Sequence, residues 1–172
     1  MRPIIYDVAV SLDGFIADAS GDASRFPHDD AVVEDYVARL AGYGTALMGR
    51  ATYEYGYAFG LEPGANPYPH MDCNVISSRP LPGGEVPVHA DPLASARALK
   101  ERDGAPIYLC GGGALAGALL AAGLIDRLIV KCAPILIGAG VPLFAGGAAP
   151  QLRPVSARPY EGGTVLREFE IA

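Results

Sequence analysis

Three loop-like segments carry residue types that bind anionic groups. Gly111, Gly112 and Gly113 stand in succession between an apolar run and a helical pattern, while Arg50 and Arg79 each follow another strand-like run. Consecutive glycines let a ligand approach the backbone, and the N–H groups that open a helix bind phosphate. Arginines nearby would bind the additional phosphate that distinguishes NADPH from NADH. The pattern predicts a site for a phosphorylated dinucleotide.

The same residues have a plainer interpretation. A glycine triplet between strand and helix also permits tight packing, and single arginines are typical of a solvated surface. Gly111, Gly113 and Ala116 match GxGxxA, but a Rossmann motif follows the first strand and has an acidic residue about 20 positions later. Here the glycines lie two-thirds of the way along the chain. The hypothesis therefore depends on the three segments meeting in space.

Hydrophobic periodicity predicts strands that alternate with helices, hence an α/β fold with a mostly parallel sheet. Strands are expected at 4–10, 45–49, 74–78, 86–90, 107–110 and 125–136, and helices at 29–40, from 50, at 91–104 and at 113–123. The segments 152–160 and 164–172 predict a C-terminal antiparallel hairpin. Ligands gather at the carboxyl ends of strands in such sheets, which is where the three loops lie. We expect one domain spanning residues 1–172.

Composition narrows the class of protein. The 172 residues are 51% hydrophobic and 19% charged with a net charge of −6, which argues against disorder and against nucleic acid as a partner. No apolar run approaches the roughly 20 residues of a membrane span, and no signal peptide is evident, so a cytoplasmic protein is expected. The three cysteines lack CxxC spacing and the three histidines form no ligand pattern, so we predict buried thiols and no metal.

Five stretches in this order resemble the dihydrofolate reductase superfamily. The resemblance is closest to the reductase domain of bacterial riboflavin biosynthesis proteins and its stand-alone relatives. It rests on VSLDGFIA (10–17), LMGRATYE (47–54), VISSRP (75–80), the segment 107–130 with the glycine triplet, and PILIGAGVPLF (134–144). It implies a three-layer dihydrofolate reductase-like fold, with helices flanking a central mixed eight-stranded sheet that ends in the antiparallel hairpin. The zinc deaminase signature of the bifunctional enzymes is absent from this sequence.

The resemblance also assigns residues to NADPH. Those matched to the phosphates are Gly49, Arg50, Ala51 and Thr52, and those matched to the adenosine end are Ser77, Ser78 and Arg79. Those matched to the pyrophosphate and nicotinamide are Gly111, Gly112, Gly113, Ala114 and Leu115, with Val8, Ala9, Ile16 and Ala17 bordering the nicotinamide. The family pattern further implies a cis peptide bond between Gly111 and Gly112.

The expected activity is NADPH-dependent hydride transfer to a pteridine- or pyrimidine-like heterocycle, or to a related small C=N or C=O substrate. Candidate proton-assisting groups are Asp29 and Asp30 at a helix start, and Asp13 in SLDG, although each also fits an ordinary cap or turn. Tyrosines and phenylalanines between 53 and 68 offer stacking surface. Two alternatives stay open: a reductase of another carbonyl or nitro compound, and a non-catalytic nucleotide-binding module. By analogy we expect a homodimer, with the apolar run 128–137 facing the partner.

Overall fold

A computed structural model describes residues 1–172. The strands are β1 (Ile4–Ser11), β2 (Phe15–Asp18), β3 (Thr45–Gly49), β4 (Asp72–Ile76), β5 (Val88–His89), β6 (Ile107–Gly111), β7 (Arg127–Ala133), β8 (Gly140–Pro142), β9 (Leu152–Pro159) and β10 (Val165–Ile171). The α-helices are α1 (Asp30–Leu40), α2 (Arg50–Tyr55), α3 (Pro92–Glu101) and α4 (Gly113–Ala121), and a 3-10 turn, Gly56–Phe59, extends α2. None of these helices has the length and hydrophobicity that crossing a bilayer requires.

The main sheet has eight strands in the order β5-β4-β3-β6-β1-β7-β10-β9. The first six strands in this order, β5-β4-β3-β6-β1-β7, are parallel to one another, while β10 pairs antiparallel with both β7 and β9. The mixed eight-stranded sheet and its terminal hairpin confirm the predicted fold. A separate two-stranded sheet pairs β2 with β8, and the sequence did not reveal β8 because Gly140, Val141 and Pro142 show no strand pattern.

Helices cover both faces of the main sheet, which gives three layers. The face under α3 and α4, here called the aliphatic face, buries mostly leucine, isoleucine and valine, including Ile4, Leu47, Leu109 and Val130. The face under α1 and α2, here called the tyrosine face, is rich in buried or half-buried tyrosine: Tyr36, Tyr43, Tyr53, Tyr57, Tyr68 and Tyr108. Since successive strand residues point to opposite faces, each central strand contributes to both.

Local sequence explains where α3 and α4 begin. The Asp91 carboxylate accepts hydrogen bonds from the N–H groups of Leu93 (2.9 Å) and Ala94 (3.0 Å), and Pro92 occupies the first turn. At α4, a Cβ on Gly113 would lie 2.2 Å from the Pro142 carbonyl oxygen, and one on Gly117 would lie 2.5 Å from that of Ala145. Glycine at both positions therefore lets α4 pack directly on the backbone at the end of β8 and just after it.

One expectation about a particular segment is wrong. The Gly111–Gly112 peptide is trans, because the chain holds no cis bond. Positive φ values of 138° and 101° at these two glycines make the turn into α4 instead, which only glycine adopts readily. Both edges of β7 are paired, one with β1 and the other with β10, so the strand edges of the run 128–137 are occupied. That this run faces a partner stays a prediction. The homodimer itself stays a prediction.

Smaller differences concern element ends. The strand predicted at 125–136 stops at Ala133, and the one predicted at 86–90 is reduced to Val88–His89. The strand predicted at 74–78 lies two residues earlier, at Asp72–Ile76, so Ser77 and Ser78 belong to the loop that follows it. All three cysteines are unpaired thiols: Cys73 is buried, and Cys110 and Cys132 are half-buried.

Candidate functional site

A cavity of about 710 Å³ opens on the tyrosine face, at the carboxyl ends of β1, β6 and β7. Strand residues form its floor, α1 and the segment before it form one wall, and the starts of α2 and α4 form the other. Its lining is mostly hydrophobic. The charged or polar exceptions include Asp7, Ser20, Ser24, His28, Thr52, Lys131 and Thr164. An apolar cavity with a few polar groups is the usual form of a small-molecule site.

The loops after β3, β4 and β6 lie side by side, because these strands are adjacent in the sheet. Arg50, the first residue of α2, donates hydrogen bonds to the Ser77 hydroxyl (3.2 Å) and to the carbonyl oxygen of Arg79 (3.0 Å). Thr52, two residues further along α2, faces the glycine turn: a Cβ on Gly112 would lie 3.3 Å from its hydroxyl oxygen. The three segments singled out in the sequence are therefore brought together.

The predicted cofactor residues fall into three groups. Those that line the cavity are Ala9, Ile16, Ala17, Ala51, Thr52, Gly111 and Gly112, with Val8. Those that do not line it, and that end β3 or follow β3 and β4, are Gly49, Arg50, Ser77, Ser78 and Arg79. The remaining three face elsewhere: Gly113 packs on Pro142, Ala114 is exposed, and the Leu115 side chain belongs to the aliphatic core.

The three predicted acids each have another contact. Asp13 accepts hydrogen bonds from the Ser11 hydroxyl (2.6 Å) and from the N–H of Gly138 (2.7 Å), which joins the β1–β2 turn to the loop after β7. These bonds lower the pKa of Asp13 to about 2. Asp29 precedes α1 with one carboxylate oxygen buried against Gly162, and Asp30 is exposed. None of the three lines the cavity, and their catalytic role stays a prediction.

A charged cluster on the cavity floor escaped the sequence interpretation. The Asp7 carboxylate, fully buried in β1, accepts hydrogen bonds from Arg39 Nε (2.7 Å), Lys131 Nζ (3.1 Å) and the Tyr43 hydroxyl (3.3 Å). Burial lowers the pKa of Lys131, and Asp7 opposes that shift. The available signal was a single charge inside an otherwise apolar run, once in IIYDVAV and once in LIVKCA. A buried charge is expensive and is therefore informative.

Tyrosine hydroxyls continue this polar floor. Tyr36 on α1 and Tyr108 on β6 share a hydrogen bond of 2.7 Å, and the Tyr36 ring lies 3.8 Å from Lys131 Nζ. Burial raises the pKa of both tyrosines, so their hydroxyls stay protonated at neutral pH. Burial also raises the pKa of the neighbouring Cys110 thiol, which makes it a poor nucleophile. Tyr55 and Phe59 are the members of the predicted aromatic surface that line the cavity.

Comparison with known proteins identifies the family. A family model described as the RibD C-terminal domain matches residues 69–166. The chain belongs to the RibD C-terminal domain family. This match runs from just before β4 to the start of β10 and includes the glycine turn, and it confirms the resemblance seen in the sequence.

Two curated relatives, both from Bacillus subtilis (strain 168), align over most of the chain. Uncharacterized protein YwjB is 29% identical over 147 residues, 83% of each chain. Uncharacterized protein YyaP is 27% identical over 179 residues, which cover 95% of this chain and 92% of that protein. Neither name states an activity, so these relatives do not indicate which reaction this chain catalyses.

Solved structures confirm the fold across the chain. A putative riboflavin biosynthesis protein from Shewanella sp. PV-4 superposes with a TM-score of 0.83 at 24% identity, covering 100% of this chain and 99% of that one. A pyrimidine reductase-like protein from Corynebacterium diphtheriae gives a TM-score of 0.74 at 15% identity, covering 99% and 92%. A bifunctional deaminase and uracil reductase from Thermotoga maritima gives 0.75 at 20%, but this chain covers only 57% of it.

Proposed function

We propose that this chain is an NADPH-dependent reductase of a small, flat heterocycle of the pyrimidine or pteridine kind, or of a related C=N or C=O compound. The observation that carries the proposal is one cavity whose wall contains the glycine turn and whose floor contains charged and hydroxyl side chains. A dinucleotide and a second, flat molecule need such an arrangement in order to meet. Family membership supports the reductase class.

The residues present fit a dinucleotide. Gly111 and Gly112 line the cavity without side chains, and their positive φ values turn the backbone where a Cβ would approach Thr52. The cavity-lining Thr52 hydroxyl and the N–H groups at the start of α4 provide phosphate donors, while Arg50 and Arg79 at the ends of β3 and β4 provide cations. When bound, the reduced nicotinamide supplies a hydride.

The chain's own residues would orient the substrate and exclude water. Val32 and Val33 on α1 form an apolar wall and the glycine turn belongs to the other wall, so a flat ring would be held between them. Tyr36 and Tyr108 carry protons at neutral pH, and together with Lys131 they are the hydrogen-bond donors on the cavity floor. A group that holds a proton at the reacting end can assist reduction of a C=N or C=O bond.

Fluorescence titration with NADPH and NADH tests the proposal. The Arg79 side chain is exposed, so Arg79→Ala removes a cation with little effect on the fold. We expect this substitution to weaken the binding of NADPH by roughly 10- to 100-fold, the range for one lost hydrogen bond to a charged group. The binding of NADH should weaken by less than about threefold. Arg97→Ala, which removes an exposed arginine from α3, is the matched control and should change neither.

Binding of neither dinucleotide below the millimolar range would contradict the proposal. NADPH binding without turnover of any heterocycle, carbonyl or nitro compound would indicate a non-catalytic nucleotide-binding module.

We also propose that the chain pairs as a homodimer. Every residue of β9 is exposed although the strand is eight residues long, which supports a contact there. Sedimentation equilibrium at the mass of one chain would contradict pairing.

A further inference from the structure

The floor of the cavity holds more positive than negative charge. Asp7 is the single carboxylate in contact with two cations, Arg39 and Lys131. Asp35 lies on α1, the helix that also carries Arg39. Its carboxylate is paired with Arg158 at 2.6 Å and accepts a hydrogen bond from the Tyr160 hydroxyl, so Arg158 already neutralises its charge. The remaining ionisable neighbours, Tyr36, Tyr108 and Cys110, are neutral because burial raises the pKa of each.

Arg39 is the closer partner of Asp7, which leaves Lys131 only partly satisfied. The guanidinium contacts both carboxylate oxygens, at 2.7 and 3.4 Å, whereas Lys131 reaches one of them at 3.1 Å. An ammonium group has three N–H donors, and Lys131 uses one on Asp7 while the Tyr36 ring lies 3.8 Å from its nitrogen. Lys131 lines the cavity, although only 11% of its side chain is exposed.

A buried, unbalanced cation is costly unless a partner neutralises it. An anionic oxygen bound at Lys131 would bring the floor to neutrality, with two cations against Asp7 and the ligand. A protonated amidine edge would face a surplus of positive charge, and it would find Asp7 already bonded by three donors. The apolar walls require that the body of the ligand be flat and largely uncharged.

We infer that Lys131 is the specificity-determining residue of the substrate site and binds an ionised ring oxygen, so that the cavity selects a planar anion over a planar cation. This inference rests on the proposed function, because it describes the substrate side of the same cavity. It concerns binding and requires no covalent step. Lys131 acts by direct contact, Asp7 by holding the ammonium in place, and Arg39 by taking up most of the Asp7 charge.

The sequence allows a direct measurement, because Lys100 and Lys131 are its two lysines. The full chain labelled with ¹³C- and ¹⁵N-lysine gives one side-chain NMR signal for the site and one internal control. Lys100 is bonded to the Leu124 carbonyl oxygen and to Asp126 and does not line the cavity. The probes are three pyrimidines of similar size: sodium barbiturate (anionic), uracil (neutral) and 2,4-diaminopyrimidine (basic).

We expect barbiturate to shift the Lys131 signal and leave the Lys100 signal unchanged. Its affinity should exceed that of uracil, and exceed that of 2,4-diaminopyrimidine by at least roughly 10-fold, the lower end of one lost charged hydrogen bond. Lys131→Met keeps the length of the side chain and should abolish this preference, with Asp7 still held by Arg39 and Tyr43. Lys100→Met, which removes the other lysine, should preserve it.

Equal affinity for the three probes, a preference for 2,4-diaminopyrimidine, or no Lys131 shift with millimolar barbiturate would each overturn the inference. These outcomes come from the wild-type chain, so they do not depend on how the variants fold. The titration is made without dinucleotide. Failure to bind NADPH would therefore remove the proposed reductase activity while leaving the anion preference intact, and loss of the preference in a chain that binds NADPH would remove the inference alone.

Discussion

The two faces of the central sheet are made by the same strands and differ in chemistry. On β6, Leu109 points into the aliphatic face and Tyr108 into the tyrosine face; on β7, Val130 and Lys131 divide in the same way. Because strand residues alternate, one residue of shift would exchange the two sets. The aliphatic face closes against two helices, whereas the tyrosine face leaves a cavity of about 710 Å³ under α1.

This difference indicates how the fold divides its tasks. Aliphatic side chains gain free energy by leaving water and pack without partners, so the face they form can be filled completely. Hydroxyl and charged groups need partners at set distances, and the bonds between Asp7, Arg39, Tyr43 and Lys131 supply them. The tyrosine face can therefore hold an opening lined by fixed polar groups, at a cost that the other face offsets.

The largest expected effect is that of Asp7→Asn. It leaves Arg39 and Lys131 buried without their shared anion, and removing one member of a buried ion pair costs about 3–5 kcal/mol. Burial already lowers the pKa of Lys131, and the loss of Asp7 lowers it further. Between the folded and unfolded pKa values the unfolded chain binds more protons, so the free energy of unfolding of the variant increases with pH.

Urea unfolding of the wild type and of Asp7→Asn between about pH 7 and about pH 10 measures this effect. The difference in the free energy of unfolding between the wild type and Asp7→Asn should be greatest at the lower pH and should decrease toward the higher pH. Asp91→Asn, which changes a carboxylate at the start of α3, is the control and should show no such trend. A deficit independent of pH would contradict a further lowering of the Lys131 pKa by the loss of Asp7.

Leu109→Ala tests the opposite face. Leu109 is fully buried among aliphatic neighbours, and truncating such a leucine costs about 2–5 kcal/mol through lost transfer free energy and the cavity left behind. Calorimetric or urea unfolding measures the loss of stability. The lysine NMR titration, made on the folded fraction, measures the affinity for barbiturate, which should be unchanged. Reduced affinity in the folded fraction would show that the two faces are not independent.

The sequence predicted the elements better than it predicted the site. The strand at Thr45–Gly49 was placed correctly, because its apolar run is bounded by Gly44 and Arg50, and the cap at Asp91 is a local signal. The Asp7–Lys131 contact joins residues 124 positions apart, so no local pattern contains it. Gly113 resembles its two neighbours in the sequence, yet it serves packing against Pro142 while they line the cavity. Which glycine packs and which lines the cavity depends on Pro142, 29 residues after Gly113 in the chain.

The smallest expected effect is that of Tyr108→Phe, which alters the tyrosine face without opening a hole. The ring, fully buried and stacked on Tyr43 at 5.1 Å, is retained, and the hydrogen bond of 2.7 Å to the Tyr36 hydroxyl is lost. One such bond contributes about 0.5–1.5 kcal/mol, so thermal unfolding should show a modest decrease in stability.

Tyr36 also lies 3.8 Å from Lys131, so a looser Tyr36 should weaken barbiturate binding by a few-fold, well short of the loss expected for Lys131→Met. Leu109→Ala, on the adjacent residue of the same strand, serves as the matched comparison. In that variant the stability should decrease while the affinity for barbiturate stays unchanged. If Tyr108→Phe instead lowered stability as much as Leu109→Ala and left affinity unchanged, the tyrosine face would be a second packing core. The polar contacts on it would then have no part in recognising a ligand.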